Sequence, residues 1–230
     1  SGEKQRLHVA VMHPELWVEK MVKQAFAKQG IAIKGKVRQG VLPKKTLTKL
    51  VTHQSKAMPY LIKILLKYSD NLTAESLLKT LGYRYYQEGS FAQGIRARED
   101  LLATWAGLDF SRTELFDGSG GSRYNMVTPH QLATLMVVLK HDKQMQIVLD
   151  GLPISGKDGT LANRMQVFHL AKHVQAKTGS MRHVSSLTGT MQTGSGRVLA
   201  FSLLMDRALP GLDAARFLQH ELCDLWYHIN

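Results

Sequence analysis

Ala176-Lys177-Thr178-Gly179-Ser180 closes the first of three strand-like runs near the end of the chain. These runs cover residues 173–178, 186–192 and 197–205. In the first, residues 174, 176 and 178 share one face and residues 173, 175 and 177 the other, and this period of two predicts a strand. The links are short, and Thr193-Gly194-Ser195-Gly196 is typical of a hairpin turn. The last run contains Val198-Leu199-Ala200-Phe201, which is apolar on both faces and predicts a strand covered on both sides. The three runs together predict an antiparallel meander.

Helical patterns occupy most of the remaining chain. Apolar residues recur at helical spacing, with Pro, Ser or Thr at most predicted starts and Gly at several predicted ends, in segments 14–29, 59–68, 72–81, 90–106, 128–139 and 210–225. A short polar helix is predicted near residues 161–165. In the last segment, the predicted buried face carries Ala214, Phe217, Leu218, Leu222 and Leu225. Residues 31–38 alternate as a strand does. The pattern predicts an α+β fold, with an antiparallel sheet packed against helices, in a single domain over residues 1–230.

The composition limits the kinds of molecule that the chain is expected to bind. Thirty Lys and Arg against eighteen Asp and Glu give a net charge of +12, which favours an anionic partner such as an acidic membrane surface or an anionic polymer. The basic residues are scattered and not interleaved with aromatics, so nucleic acid is not predicted. The only cysteine is Cys223, which excludes an intrachain disulfide. No apolar run reaches the roughly 20 residues that span a bilayer, and the polar start, unlike a signal peptide, is expected of a mature, processed or truncated chain.

Two stretches carry candidate chemistry. Ser69-Asp70-Asn71 lies at a corner between two predicted helices, and these residue types prefer caps and turns, so helix capping alone could explain it. On the strand, Lys177 would supply positive charge near a carboxylate and Thr178 a hydroxyl donor. Gly179 lacks a side chain where an extended peptide could lie alongside the strand.

Other polar clusters do not predict a cofactor. His169 and His173 are four residues apart but lack the Glu of the metalloprotease motif, so no metal site is predicted. The glycine-rich stretch 117–121 is not followed by Gly-Lys-Ser/Thr, so it is not a phosphate loop. We expect neither a metal nor an organic cofactor.

Ser-Asp-Asn followed roughly a hundred residues later by Lys-Thr-Gly is the motif pair of serine β-lactamases and penicillin-binding proteins. The chain resembles the C-terminal part of a class C low-molecular-mass penicillin-binding protein, of the D-alanyl-D-alanine carboxypeptidase/endopeptidase family. The resemblance begins near Val9 and includes segments 65–71, 117–125, 152–159 and 176–180 in family order. It implies a β-lactamase/transpeptidase-like fold, present in part.

The resemblance also implies roles for the two stretches. Ser69 would relay a proton to the leaving amine, Asn71 would hold the substrate amide, and Lys177 would tune the electrostatics of that relay. Thr178 would hold the terminal carboxylate beside Gly179, and the backbone N–H of Ser180 would form half of an oxyanion hole. The implied substrates are peptidoglycan peptides ending in D-Ala-D-Ala, the implied inhibitors of the complete enzyme are β-lactams, and the implied compartment is the periplasm.

The chain departs from the family at its nucleophile. The family's serine lies in a Ser-x-x-Lys motif upstream of Ser-Asp-Asn, where the lysine activates the serine. The two such spacings here are Ser1-Gly2-Glu3-Lys4, at a polar terminus, and Ser76-Leu77-Leu78-Lys79, which follows Ser69. Neither fits, so we expect a fragment that begins after the nucleophile segment and is inactive alone. A non-catalytic module that binds peptidoglycan or another anionic polymer is the alternative hypothesis.

Overall fold

The computed structural model describes residues 11–35, 40, 48, 52–166, 169–207 and 211–229. The chain divides into two compact units, Ser1–Gln54 and Ser55–Asn230, and the single-domain organisation stays a prediction. The first unit contains helix α1 (Pro14–Lys28), which begins at its proline as predicted. Residues 31–35 form no strand, which corrects part of the 31–38 prediction, and residues 36–38 lie outside the described residues. Alternation alone does not make a strand, because a strand also needs a hydrogen-bonding neighbour.

Helices surround a sheet in the second unit. Two short 3₁₀ turns, Lys143–Met145 and Gly159–Leu161, accompany helices α2 (Met58–Tyr68), α3 (Asn71–Tyr86), α4 (Phe91–Ala106), α5 (Pro129–His141), α6 (Gln146–Gly151) and α7 (Leu212–Tyr227). Helix α5 begins with the predicted capping box, in which Thr128 and Gln131 bond each other's backbone N–H. The predicted helix at 161–165 is wrong, because the 3₁₀ turn ends at Leu161 and turns follow it.

The sheet is the predicted meander. Strands β1 (Val174–Met181), β2 (Val184–Gln192) and β3 (Val198–Met205) pair antiparallel in the order β1-β2-β3. On one face of β3, Phe201 packs with Trp226 of α7. On the other face, Ala200 packs against a buried cluster that includes Met136 and Leu139 of α5. The middle of this strand is therefore covered on both faces, as predicted, whereas Val198 at its start is 51% exposed. The fold is α+β, as predicted.

Glycines at a helix crossing explain one wrong boundary. Helix α3 continues past Gly82, where the sequence predicts its end. A Cβ on Gly82 would lie 2.6 Å from the backbone nitrogen of Gly94, and one on Gly94 would lie 2.4 Å from the carbonyl oxygen of Leu78. Both glycines therefore permit close packing of α3 on α4, and Gly82 is not a helix stop.

Helix α7 buries a different face from the predicted one. Phe217, Leu218 and Leu225 are at least half exposed, whereas the buried residues are Ala215, Gln219 and Cys223. Gln219 is buried because its side chain bonds Ser185 of β2 and Arg164. Hydrophobic periodicity places a glutamine outside, so it assigns the wrong stripe.

No helix among the described residues is long and apolar enough to cross a membrane.

Candidate active site

The Ser69 corner joins α2 to α3. Ser69 takes the left-handed conformation at φ 57°, and its amide and that of Asp70 both donate to the carbonyl oxygen of Leu65. The Asp70 carboxylate accepts from the Thr73 amide at 2.7 Å, and hydrogen bonding from the Thr73 side chain and amide lowers the pKa of Asp70. Asp70 is thus a helix N-cap, as the capping interpretation expects. Its neighbours Ser69 and Asn71 both line a cavity beside this corner.

Lys177 reaches the corner from β1. Its ammonium donates to Ser69 Oγ at 2.8 Å, across 108 residues of sequence, and to the carbonyl oxygen of Thr178 at 2.7 Å. Burial lowers the pKa of Lys177, since an ammonium is less stable away from water. The structure therefore brings the two predicted motifs into direct contact.

Asn71 completes this wall of the cleft. It is the first residue of α3 and is exposed. With Ser69 and Lys177 it lines a cavity of about 540 Å³, whose remaining wall combines leucines of α2 and α3 with Arg84, Arg98, Gly118 and Ser119. The opening leaves room for a substrate or for another polypeptide segment beside the Ser69 hydroxyl.

The remaining predicted residues follow along β1. Thr178 Oγ1 donates to Thr160 Oγ1 at 2.7 Å, and both line a second cavity. Val174 and Ala176 bond residues 153–155 on the side away from β2, so by alternation the backbone N–H of Ser180 points to the open edge of the strand. A Cβ on Gly179 would lie 2.3 Å from Ser186 Oγ. Close packing against β2 is therefore a reason for this glycine, besides the predicted room for a peptide.

Sequence reasoning missed Lys67, a residue of α2 whose contacts hold the Ser69 corner in place. This side chain is buried, with its ammonium 2.5 Å from the carbonyl oxygen of Leu152 and 2.7 Å from Asp158 Oδ1. Burial acts to raise the pKa of Asp158, but bonds from Lys67 and the Ile154 amide, with the positive charges nearby, lower it overall. The only signal was a lysine near the end of an apolar helix, two residues before Ser69.

Glu75 was also missed. Its carboxylate accepts from the backbone N–H groups of Gly118, at 2.8 Å, and Ser119, at 3.1 Å. Asp117 binds the other side of this loop, accepting from Gly120, Ser122 and Asn125. The glycine-rich loop is therefore fixed to α3, one turn beyond Asn71, where it forms part of the cavity wall.

The Ser76 to Lys79 spacing does not supply a nucleophile. Ser76 Oγ donates to the Leu72 carbonyl oxygen within the helix, and the Lys79 ammonium lies 4.2 Å from the centre of the Phe91 ring. The other spacing, at residues 1–4, lies outside the described residues. In the described ranges, no three His, Cys, Asp or Glu side chains are grouped to hold a metal ion.

The chain belongs to the D-Ala-D-Ala carboxypeptidase 3 (S13) family, whose sequence model matches residues 1–219. It is 33% identical over 200 residues to D-alanyl-D-alanine carboxypeptidase DacB of Haemophilus influenzae, covering 85% of this chain and 41% of that protein. It is 32% identical to the D-alanyl-D-alanine carboxypeptidase of an Actinomadura species, covering 80% of this chain and 35% of the relative.

Solved structures agree with the fold. The crystal structure of penicillin binding protein 4 (dacB) from H. influenzae matches 96% of this chain and 50% of its own, with a TM-score of 0.84 and 30% identity. A predatory endopeptidase of Bdellovibrio bacteriovorus, at 19% identity and a TM-score of 0.61, shares the fold. The chain spans about half the length or less of the proteins that it matches.

Proposed function

We propose that the chain supplies two walls of the active site of a serine-type D-Ala-D-Ala carboxypeptidase/endopeptidase that acts on peptidoglycan stem peptides in the periplasm. The observation that carries the proposal is the 2.8 Å contact between Lys177 Nζ and Ser69 Oγ. A half-buried ammonium on a serine hydroxyl can stabilise the charge that develops when this hydroxyl passes a proton. Membership of the family supports the same reaction.

In the proposed reaction, the serine of a Ser-x-x-Lys segment attacks the carbonyl carbon of the penultimate D-alanine. The peptide C–N bond breaks, an ester forms on that serine, and the serine's proton reaches the leaving amine through Ser69. Water then hydrolyses the ester. Asn71 holds the substrate amide, Thr178 holds the terminal carboxylate, and the Ser180 N–H stabilises the oxyanion by about 3 kcal/mol.

The direct test is expression of the full reading frame that encodes these residues. The purified product is expected to release D-alanine from an N-acylated D-Ala-D-Ala peptide and to be labelled by a fluorescent penicillin. Cell fractionation tests the periplasmic location of the same product. A product that carries a Ser-x-x-Lys segment before Ser69 but neither releases D-alanine nor binds penicillin would contradict the proposal.

The 230-residue chain alone is expected to form no covalent adduct with penicillin. Loss of a serine nucleophile lowers the rate by about a million-fold, and neither Ser-x-x-Lys spacing of the chain fits that role. Incubation with penicillin G and intact-mass measurement checks this, with a penicillin-binding protein that has all three motifs as the positive control. A stoichiometric mass increase on this chain would show that it has a nucleophile of its own.

A second candidate is a non-catalytic module that binds peptidoglycan or another anionic polymer. The net charge of +12 favours it, because a strongly basic surface attracts polyanions. Co-sedimentation with purified peptidoglycan is expected to be strong at low salt and to decrease as salt screens the charges. Absence of binding at low salt would count against this candidate and leave the enzymatic proposal unaffected.

A further inference from the structure

The cavity beside Ser69 continues as a groove between α2 and α3. Its apolar walls carry one face of each helix, with Met58, Leu65 and Leu66 on α2 and Ala74, Leu77 and Leu81 on α3. The α3 wall runs from Asn71 to Arg84, a length of about 20 Å along the helix axis. Apolar residues that recur every three, four or seven positions are the pattern that receives the side chains of another helix.

The described residues leave the groove unfilled. Met58 is 52% exposed, and Leu65, Leu77 and Leu81 are only partly buried. A contiguous apolar surface of this kind is typical of an interaction site. The chain spans about half the length or less of the proteins that it matches, and the proposed reaction requires a serine segment that residues 1–230 do not place beside Ser69. A segment that reaches Ser69 from outside residues 1–230 therefore has this groove as its path.

Arg98 brings a positive charge into the wall of the groove. It belongs to α4 and lines the cavity beside Gly118 and Ser119. Its Nη1 donates to the carbonyl oxygen of Asp117 at 3.3 Å, whereas its Nε and Nη2 are buried and have no hydrogen-bond partner among the described residues. A buried donor without an acceptor destabilises a fold. The Arg98 guanidinium therefore keeps donors for an acceptor that the described residues do not supply.

The acidic side chains near Arg98 do not pair with it. Burial lowers the pKa of Arg98, while the charges of Glu99 and Asp117 act to raise it. The Asp117 carboxylate accepts hydrogen bonds within its own loop, and the Asp70 carboxylate, in the same cavity, is used as the N-cap of α3. Arg84, Arg98 and Lys177 also line this cavity. Its charge is therefore positive in excess, which favours an acidic partner.

We infer that Arg98 binds a carboxylate side chain of an apolar helix, which comes from outside residues 1–230 and packs in the groove between α2 and α3. The inference rests on the proposed function, because that function requires a further segment at Ser69. Nε and Nη2 form one edge of the guanidinium, which an Asp or Glu of the helix can bind through both carboxylate oxygens. Because the Arg98 side chain lines the groove, a rotation about its terminal bonds presents this edge to the helix. The pair would fix the register of the helix, so Arg98 is a positioning residue.

The first test compares Arg98→Met in two proteins, the product of the full reading frame and the 230-residue chain, by thermal unfolding. In the full product the substitution is expected to lower the unfolding midpoint by about 5 °C, because it leaves a buried carboxylate unpaired. In the 230-residue chain a fall of less than about 1 °C is expected, since methionine removes donors that already lack acceptors. Lys63→Met, at an exposed position of α2, is the matched control and should change neither midpoint. An equal fall in both proteins would overturn the inference.

Carbodiimide cross-linking of an Arg98→Lys variant of the full product identifies the partner. An amide bond forms between the introduced amine and a carboxylate in contact with it, and the carbodiimide takes up the water that is lost. Mass spectrometry of tryptic peptides is expected to join position 98 to an Asp or Glu from outside residues 1–230. A cross-link to a carboxylate within residues 1–230, including one of a second copy of the chain, would overturn the inference, and so would the absence of any cross-link.

Release of D-alanine by the parent product tests the proposed function separately. If the parent releases D-alanine but Arg98→Met lowers both midpoints equally, the function stands and the Arg98 pairing is overturned. If the cross-link to a residue outside 1–230 forms but the parent releases no D-alanine, the pairing stands and the function is contradicted.

Discussion

A Lys177→Met variant of the product of the full reading frame is expected to release D-alanine about a thousandfold more slowly than the parent, within the range for loss of a positioned acid or base group. Methionine keeps the apolar part of the lysine side chain but removes the ammonium that lies 2.8 Å from Ser69 Oγ. The proton relay then loses the charge that stabilises it. The initial rate of D-alanine release measures the effect. Lys63→Met, at an exposed position of α2, is the matched control and is expected to keep the parent rate.

The pH profile distinguishes this role from a structural one. Because burial lowers the pKa of Lys177, the ammonium is present below that pKa and is lost as the pH rises through it. The parent rate is therefore expected to decrease at a lower pH than an ordinary lysine would give, and Lys177→Met should lack this decrease. A variant that keeps the parent rate and the same alkaline decrease would exclude Lys177 from the relay.

Asp158→Asn is expected to lower the free energy of unfolding by about 3 kcal/mol, the lower end of the range for breaking a buried ion pair, because Asp158 is partly exposed. This loss of stability arises chiefly at Lys67, because in the variant its buried ammonium keeps only the Leu152 carbonyl oxygen as a strong hydrogen-bond acceptor. Urea denaturation monitored by circular dichroism measures the loss. Asp206→Asn, at an exposed carboxylate, should change stability by less than about 0.5 kcal/mol.

The pH dependence of that loss has a definite sign. The folded-state pKa of Asp158 is below its ordinary value of 3.8, so its stabilising contribution is complete above the ordinary value and disappears as the pH falls through the folded value. The difference between parent and Asp158→Asn should therefore shrink below about pH 4. Adding Lys67→Met to Asp158→Asn should recover part of the stability, since no unpaired ammonium remains. Equal stability of the parent and Asp158→Asn at neutral pH would show that the Lys67–Asp158 ion pair does not stabilise the fold.

Local signals predicted the parts of the fold that depend on neighbouring residues. The Thr128 capping box and the β1-β2-β3 meander follow from spacing within a few residues, and both are present. The Gly82 boundary was wrong because that glycine serves a contact with Gly94 on another helix. The contact between Ser69 and Lys177 was implied by the motif pair alone, since nothing in their spacing brings them together.

The unpredicted parts of the site are long-range pairs. Lys67 and Asp158 are 91 residues apart, and Glu75 and Gly118 are 43 apart. No periodicity or turn signal relates residues at such separations, and each partner is an ordinary residue type for its own segment. Pairs of this kind emerge only when the elements that carry them are placed in space.

The left-handed backbone conformation of Ser69 affects which residue types this position favours in members of the family. At φ 57°, a serine costs about 1 kcal/mol relative to a glycine, which takes that conformation freely, and the end of a helix is where glycine is most favoured. Glycine, however, has no hydroxyl to meet the Lys177 ammonium. Backbone conformation alone therefore favours glycine at this position, whereas the hydroxyl that the proposed proton relay needs favours serine. The identity of this single residue should separate homologous lineages that still turn over substrate from those that have kept the fold as a scaffold.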